Sequence, residues 1–474
     1  MELSKIEPMI TLSPLDGRYR TQTAPLVEFL SEAALNKERV EVEVEWMILL
    51  SNGYNGNGSK PVLEGLQPLS RTQISYLRSL VSDFNRSSMD ELASFEAQTH
   101  HDVKAVEYFI DSRLDQSRDP QLSAIKPLVH FGCTSEDVNN IAYARAIKTA
   151  ITQVWLPSMQ SLLEQLEDMS QTYRSLPLLS MTHGQPATPT TLGKELAVYV
   201  YRLRRQLQHL EQQEYLGKWN GATGTFGASF VAVPHVDWIA LSQHFVRERM
   251  GLDWNPLTTQ IESHDWQAEV YSTISHSNRI LHNLAVDIWM YISRGVFAQE
   301  PVQGATGSST MPHKVNPIRF ENAEANLELS CSVLESLAST LVESRWQRDL
   351  TDSTTQRNVG VGLGHSLLAI ANLRSGLQGI HPNTTVMETE LDSNWEVLGE
   401  PIQTAMRAAA LQGQSGMDHP YERVKELMRG KDINQTDVEH FIHSLNFTAQ
   451  DQDRLASLTP AQYTGLADQL VDFE

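Results

Sequence analysis

Three long segments with helical periodicity constrain the fold of this chain more than any other feature. Residues 192–216, 264–297 and 319–343 carry apolar side chains at three- and four-residue spacing. At a rise of about 1.5 Å per residue, a helix of about 25 residues is a rod of roughly 35–40 Å. Strand-like alternation is scarce, and residues 40–44, which do alternate, have flanks that favour a helix. The sequence therefore predicts an all-α fold.

The length of the chain predicts more than one domain. A chain of 474 residues exceeds what one ordinary core accommodates. We expect a mixed helical domain over residues 1–123, a central long-helix bundle over 124–376 and a C-terminal helical domain over 377–474. The central rods are too apolar for the surface of a monomer, which indicates that other helices cover them.

Composition excludes several classes of protein. Lys and Arg number 37 against 58 for Asp and Glu, and a net charge of −21 argues against nucleic-acid binding. Apolar runs are too short to span a bilayer, and the first residues do not have the pattern of a secretory signal. Two cysteines, Cys133 and Cys331, provide neither a disulfide framework nor a Cys-based zinc site, so a cytoplasmic location is expected. An anionic ligand would then require locally clustered Arg, Lys and helix N-termini.

Residues 307–317 form the strongest candidate site. They read Gly-Ser-Ser-Thr-Met-Pro-His-Lys-Val-Asn-Pro, with Asn316 as a predicted N-cap and Pro317 at the first helical position. Hydroxyls, the Lys314 ammonium and free backbone N–H groups would meet where the helix dipole is positive. That environment suits a carboxylate that gains charge during a reaction. The alternative is a flexible loop before an ordinary capped helix. A second Gly-rich segment, 217–235, also lies between long helices.

Two further motifs mark helix starts and possible ligands. Thr134 and Asp137 have the spacing of a capping box, and the same helix N-terminus could bind a phosphate or carboxylate. His100 and His101 would point about 100° apart on a helix and could not easily share a metal ion. Since no other zinc motif follows, no metal site is expected.

The segment 344–350 allows two interpretations. Arg345 and Arg348 are three residues apart, on one face if the segment is helical, and could pair with Asp349 and Asp352. They could equally join Arg357 in a bidentate phosphate clamp. Trp346 between them is expected in the core. His183 in a Pro-bounded turn could be simply a solvated or capping histidine. An anion site nearby would instead favour a functional role for it.

The motifs resemble those of a known superfamily. Residues 307–317 resemble G-S-S-x-M-P-x-K-x-N-P, the signature of the fumarase/aspartase superfamily of α-helical, fumarate-releasing lyases. Residues 181–188 resemble the T-H-G-Q-P-A motif of its adenylosuccinate lyase family, where argininosuccinate lyases and fumarases typically have T-H-L-Q. Gly184 therefore discriminates between them. Similarity to the bacterial members of this family extends over essentially the whole chain and includes residues 13–19, 100–107, 133–137 and 344–350.

The resemblance implies β-elimination of fumarate from adenylosuccinate, giving AMP, and from the succinylated aminoimidazole carboxamide ribotide (SAICAR), giving AICAR, in purine nucleotide biosynthesis. Ser308 would be the general base and His183 the general acid. Serine holds its proton tightly, so its alkoxide would need Lys314, the helix N-terminus and a closed, water-poor loop. No cofactor and no metal are implied. The alternatives are another fumarate-releasing lyase, of the argininosuccinate lyase type, and a non-catalytic structural relative.

The resemblance also implies a set of ligand contacts and an assembly. Asp102 is expected to orient His101, and His130 to line the site. The expected assembly is a homotetramer whose core is the central bundle, with each active site shared between subunits and formed by three chains, and with no nucleic-acid or membrane partner. The residues expected to bind the substrate are Arg18, Tyr19, His100, His101, Asp102, Thr134, Ser135, Gln260, Lys314, Val315, Asn316, Asn322, Arg348, Ser353, Thr354, Thr355, Gln356 and Arg357.

Overall fold

The fold is all-α, as predicted. The computed structural model describes residues 11–54, 60–300, 311, 314–430 and 432–473. In chain order its α-helices are α1 (Arg20–Leu30), α2 (Glu32–Asn52), α3 (Arg71–Ser82), α4 (Arg86–Thr99), α5 (Asp102–Gln116), α6 (Pro120–Ala124), α7 (Ser135–Ala150), α8 (Leu156–Thr172), α9 (Leu192–Glu211), α10 (Gly227–Ala232), α11 (Trp238–His244), α12 (Asp265–Arg294), α13 (Ile318–Leu341), α14 (Thr351–Gln356), α15 (Val359–Gln378), α16 (Thr384–Asp392), α17 (Gly399–Leu411), α18 (Pro420–Met428), α19 (Gln435–His443), α20 (Ala449–Ala456) and α21 (Ala467–Leu470).

The remaining regular structure is short. Tight 3-10 turns lie at Lys126–Leu128, Trp395–Leu398 and Pro460–Gln462, and π turns at Ile151–Trp155 and Phe245–Arg249. The strands pair two by two: β1 (Pro177–Leu178) with β4 (Thr190–Thr191), β2 (Met181–Thr182) with β3 (Gln185–Pro186), β5 (Leu216–Gly217) with β6 (Asp253–Trp254), and β7 (Phe297–Gln299) with β8 (Ile380–Pro382). Only the β5–β6 pair among them is parallel.

The three long periodic segments are confirmed as helices. They form α9, α12 and α13, and residues 40–44 lie inside α2. Helix α9 ends at Glu211, five residues before the predicted end at 216, because the chain then extends and Leu216 pairs with Asp253. The Gly-rich segment 217–235 is not wholly irregular, since it contains the short helix α10.

Helix α13 begins one residue later than predicted. Pro317 was expected at the first helical position, but the helix begins at Ile318. The Pro317 carbonyl accepts the N–H groups of Phe320 (3.0 Å) and Glu321 (3.3 Å), which places Pro317 just ahead of the helix. The missing N–H of proline costs no hydrogen bond there either, because the first N–H groups of a helix lack a partner within the helix.

The chain divides into two compact units that interleave along the sequence. The first consists of Met1–Met159, Gln206–Arg279 and Ala325–Ala371. Its core includes an aromatic group in which the Trp46 ring lies 5.0 Å from the rings of both Trp219 and Phe245. The Trp46 indole N–H donates to the Phe131 carbonyl at 2.9 Å, so this large side chain is buried with its polar atom satisfied.

The second unit consists of Gln160–Arg205, Ile280–Glu324 and Asn372–Glu474. Within it, α17, α19 and neighbouring turns enclose an apolar cluster that includes Leu398, Ile402, Met406 and Ile442. The predicted three-domain division at 123/124 and 376/377 stays a prediction. No helix in the described ranges combines the length and apolar character needed to cross a membrane.

Candidate active site

A cavity of about 460 Å³ in the first unit brings together many of the predicted substrate-binding residues. Its walls come from the α4–α5 junction, the first turns of α7 and the segment 348–357. Predicted residues in these walls are His100, His101, Asp102, Ser135, Arg348, Ser353, Thr354 and Arg357. Residues that the sequence reasoning missed are Glu96, Glu136, Asn139 and Leu350.

The two adjacent histidines lie at a break between helices. His100 ends α4 in a left-handed conformation (φ 52°), and His101 caps α5. The Nδ1 atom of His101 accepts the N–H of Lys104 at 3.2 Å. The assumption that both histidines lie on one helix was therefore wrong, because the chain turns between them.

The Asp102 carboxylate forms ion pairs with two arginines and no hydrogen bond with the neighbouring histidine. Its carboxylate lies 2.7 Å from Nη2 of Arg39 and 3.5 Å from Nη2 of Arg357. Its distance to Nδ1 of His101 is 3.8 Å, too long for a hydrogen bond, so the expectation that Asp102 orients His101 is wrong. Burial favours the neutral acid, but the charge and hydrogen bond of Arg39 outweigh it and lower the pKa of Asp102.

Arg348 and Glu136 form an ion pair in the cavity wall. Nη2 of Arg348 lies 2.9 Å from Oε1 of Glu136, and the same oxygen accepts Nδ2 of Asn139 at 2.8 Å. Burial raises the pKa of Glu136 against the opposing charge of Arg348. The Nε atom of Arg348 is buried and has no hydrogen-bond partner in the described part of the chain, so this guanidinium is incompletely satisfied.

The segment 344–350 is a series of turns, and its side chains diverge. Arg345 is largely exposed and lies 3.8 Å from Asp349, whereas Arg348 is mostly buried. The expectation that the two arginines share a face is therefore wrong. Trp346, expected in the core, is 94% exposed, because it lies in the turn at φ 53° and not on the packed side of a helix.

A buried ion pair stabilises the start of α7, next to the lining residue Glu136. The predicted cap is confirmed in that Asp137 accepts the N–H of Thr134 at 2.8 Å. The Asp137 carboxylate also lies 2.9 Å from Nζ of Lys218, and both side chains are fully buried. The N–H groups of Asn220 and Gly221 complete its shell, each at 3.0 Å. The Gly-rich segment thus fixes the helix start that carries Ser135.

Behind α14 lies a buried network that sequence reasoning missed. Nε2 of His264 lies 3.4 Å from Asp352, and Nδ1 lies 3.2 Å from Nε2 of Gln356. Gln356, predicted to contact the substrate, is only 4% exposed and lines a neighbouring cavity of about 230 Å³ together with Arg39. The network buries Asp352 and Gln356 of α14, whereas Ser353 and Thr354 of the same helix line the larger cavity.

Several predicted residues lie elsewhere in the first unit. Arg18 and Tyr19 precede α1, with the Arg18 guanidinium 5.8 Å from the Tyr19 ring centre. Thr134, Gln260 and Thr355 are not among the residues that line the larger cavity. Their ligand contacts stay predictions.

His130 is fixed by a fully buried carboxylate. Glu43 accepts the backbone N–H of His130 at 2.8 Å, and its other oxygen lies 2.6 Å from Nδ1 of the ring. Burial lowers the pKa of His130, but the hydrogen bond and charge of Glu43 outweigh it, so the pKa is raised overall. His130 lies outside the lining of the larger cavity, and its role there stays a prediction.

His183 lies at the tip of a two-residue hairpin in the second unit. Strands β2 and β3 pair Thr182 with Gln185, leaving His183 (φ 53°) and Gly184 (φ 71°) as the connecting residues. Positive φ at both positions is typical of a type I′ turn, which favours glycine at its second position. The glycine that distinguishes this motif from T-H-L-Q thus allows a turn that presents an exposed imidazole.

The remaining predicted residues of the second unit surround the start of α13. Lys314 is exposed, and the carbonyl of Val315 accepts Nε2 of Gln299 at 2.9 Å. Asn316 and Asn322 are half-buried, the latter in the first turns of α13. Ser308 and the loop hydroxyls beside it lie outside the described residues.

Two protein-family models match this chain. A lyase family model matches residues 17–333, and a model described as adenylosuccinate lyase C-terminal matches residues 344–464. Two solved structures share the fold at 17% identity: a fumarate lyase from Mesorhizobium sp. BNC1 (TM-score 0.73, 94% of this chain and 96% of that chain) and a 3-carboxy-cis,cis-muconate lactonizing enzyme from Pseudomonas putida (TM-score 0.71, 94% of both). The family model thus identifies the chain as a lyase, and the solved structures share its α-helical fold.

Relatives that match over the full length of the chain identify its family within the lyases. The chain is 44% identical to an adenylosuccinate lyase of Escherichia coli K12 over 472 residues, which is 100% of this chain and 99% of that protein. It is 43% identical to the enzyme of that name from Haemophilus influenzae (99% of each chain) and 42% identical to that from Vibrio cholerae (100% of each). The chain belongs to the adenylosuccinate lyase family.

Proposed function

We propose that this lyase eliminates fumarate from adenylosuccinate, giving AMP, and from SAICAR, giving AICAR. The observation that carries the proposal is the cavity of the first unit, which is lined by Arg348, Arg357 and Ser135, the first residue of α7. Glu136 and Asp102 pair with these arginines, yet the two guanidiniums and the helix N-terminus provide the donors that a phosphorylated, dicarboxylate substrate needs, despite the net charge of −21. The incompletely satisfied Nε of Arg348 supports a role in ligand binding.

In the proposed reaction, Ser308 removes a proton from the carbon next to a substrate carboxylate. The electron pair of that C–H bond delocalises into the carboxylate and then forms the fumarate double bond as the C–N bond breaks. Lys314, Asn316 and backbone N–H groups of the 307–317 segment stabilise the charge that develops. His183 donates its proton to the departing nitrogen. Its exposed position on the I′ turn supports this assignment, because the imidazole is presented free of packing.

We propose that the protein is a homotetramer in which each active site is shared between subunits. Exposed apolar side chains on the long helices support this assembly, among them Tyr201, Met290, Ile318 and Leu329. Sedimentation should show a tetramer at micromolar concentration. A cytoplasmic location is also proposed, supported by Cys133 and Cys331, which are both free thiols.

The substrate assignment is tested by an absorbance assay for fumarate. Adenylosuccinate, SAICAR, argininosuccinate, aspartate and malate are offered separately to the purified chain. Turnover of the first two alone is expected. Fumarate from argininosuccinate alone would identify the argininosuccinate lyase-type alternative, and no turnover of any compound would identify a non-catalytic relative.

The base assignment is tested with two neighbouring serines. Ser308→Ala should abolish turnover while adenylosuccinate still binds in equilibrium dialysis, because the serine acts only on the reacting carbon. Ser309→Ala is the matched control and should retain most of the activity. If Ser309→Ala is inactive and Ser308→Ala is active, the assignment of Ser308 as the base is wrong.

A further inference from the structure

The hairpin that carries His183 is attached to the rest of the second unit at both ends. We define the His183 hairpin as residues 181–186. Before it, the Leu179 carbonyl accepts Nη2 of Arg294 at 3.4 Å, and Arg294 is held by Glu390 at 2.7 Å. The N–H of Ala187 donates to the Ser180 carbonyl at 2.9 Å and closes the base of the hairpin.

After the hairpin, the attachment is a carboxylate on another element. The hydroxyl of Thr188 donates to Oε2 of Glu400 at 2.5 Å. Glu400 lies in the first turn of α17, where the helix dipole favours a negative charge. The Tyr463 hydroxyl donates to the same oxygen at 3.1 Å. Burial, together with the charge of Glu400, raises the pKa of Tyr463 to about 12, so the phenol remains a donor at neutral pH.

The tip of the hairpin has no comparable support. His183 is exposed, and its side chain makes no hydrogen bond to any described residue. The position of the imidazole therefore depends on the I′ turn and on the two attachments at the base. Thr188 is the only side chain just after the hairpin that is attached to α17 within the described ranges, so its bond to Glu400 limits how far that end can move.

We propose that Glu400 is a positioning residue for the reaction: through the Thr188 hydroxyl it fixes the His183 hairpin so that the imidazole meets the departing nitrogen. This inference rests on the proposed role of His183. Glu400 itself does not contact the substrate in this proposal. Because a displacement of about 1 Å of a catalytic group can cost on the order of 100-fold in rate, loss of one attachment should lower kcat measurably.

Two hydroxyl deletions separate positioning from general packing. Thr188→Val and Tyr463→Phe each remove one donor to the same Glu400 oxygen with little change in shape, but only Thr188 adjoins the hairpin. Thr188→Val should lower kcat by roughly 10-fold with KM changed by less than about 3-fold. Tyr463→Phe should leave kcat within about 2-fold, since the Thr188 bond remains. Thr188→Ser, which restores the hydroxyl, should recover most of kcat.

A double-mutant cycle links the effect to Glu400. If Thr188 acts through Glu400, Glu400→Ala should lower kcat about as much as Thr188→Val, and the double variant should be no slower than either. Additive losses, or a Thr188→Val enzyme within 2-fold of wild-type kcat, would overturn the proposal. Equal losses in Thr188→Val and Tyr463→Phe, or unrescued loss in Thr188→Ser, would show that packing alone is responsible.

The wild-type assay distinguishes failure of this inference from failure of the proposed function. If wild-type protein does not cleave adenylosuccinate, the function is wrong. The attachment is then tested by NMR of the His183 ring, whose signals should shift or broaden in Thr188→Val and stay unchanged in Tyr463→Phe. Unchanged signals in both variants would overturn the attachment itself.

Discussion

The cavity of the first unit and the His183 hairpin of the second are built in opposite ways. At the start of α7, Asp137 is fully buried with Lys218 and accepts backbone N–H groups, and in the cavity wall Arg348 is paired with buried Glu136. The hairpin depends on exposed Glu400 and on hydroxyl contacts. The proposed substrate-binding region thus contains buried ion pairs, and removal of one partner should destabilise the fold. The proposed proton donor is built on contacts whose loss should change rate more than stability.

The largest expected effect is the loss of folding free energy when the buried Asp137–Lys218 ion pair is broken. Asp137→Ala leaves the Lys218 ammonium buried without its partner, which typically costs about 3–5 kcal/mol of folding free energy. Urea unfolding of the purified variant measures this loss. Glu400→Ala is the matched carboxylate deletion on the hairpin side and should cost less than about 1 kcal/mol, because its carboxylate is exposed. Similar losses in both variants would remove the distinction between the two regions.

The next effect concerns binding at the cavity. Arg348→Lys cannot reproduce the planar guanidinium that holds Glu136 and faces the cavity. Loss of a charge-assisted hydrogen bond costs about 1.5–3 kcal/mol, so KM should rise by roughly 10- to 100-fold. Steady-state kinetics with adenylosuccinate measure it. Arg345→Lys is the control, since Arg345 is exposed and three residues away, and its KM should stay within 2-fold. Equal effects would contradict the assignment of Arg348 to the site.

Local patterns in the sequence predicted what depends on local structure. The periodicity of apolar residues predicted α9, α12 and α13. The three-residue spacing of Thr134 and Asp137 predicted the cap at the start of α7. The turn at His183 could also have been inferred, because His-Gly at the centre of a short extended stretch fits a type I′ hairpin. These features depend on neighbours within a few residues.

Contacts between distant segments could not be read in the same way. Asp102 pairs with Arg39, which is 63 positions away, and His130 with Glu43, which is 87 away. Nothing within a few residues of Asp102 signals that partner, so the nearest candidate, His101, was chosen wrongly. The prediction that Trp346 lies in the core was wrong for a related reason. Its size favours burial, but it lies in a turn that leaves the side chain exposed.

A smaller effect tests the turn of the hairpin. A Cβ at Gly184 would meet no atom within 4 Å, so Gly184→Ala adds only the cost of a left-handed backbone, about 1–2 kcal/mol. We expect kcat to fall by roughly 5-fold as the turn populates other conformations, with KM nearly unchanged. Gly184→Asn should retain more activity, because asparagine tolerates this conformation better. A lower kcat in the Asn variant than in the Ala variant would contradict the turn-based explanation.

The smallest effect is a pH dependence in the cavity wall. Burial raises the pKa of Glu136 above its ordinary value of 4.5, so the unfolded chain releases this proton at a lower pH than the folded protein does. The stabilising contribution of Glu136 is therefore complete below about pH 4.5 and is lost as pH rises through the folded-state pKa. Glu136→Gln does not titrate, and its Oε1 can still accept Asn139 and Arg348. Thermal unfolding at several pH values should show wild type losing stability relative to this variant between pH 4 and neutrality. A gap between the two proteins that is constant with pH, or that changes in favour of wild type, would show that burial does not dominate the ionisation of Glu136.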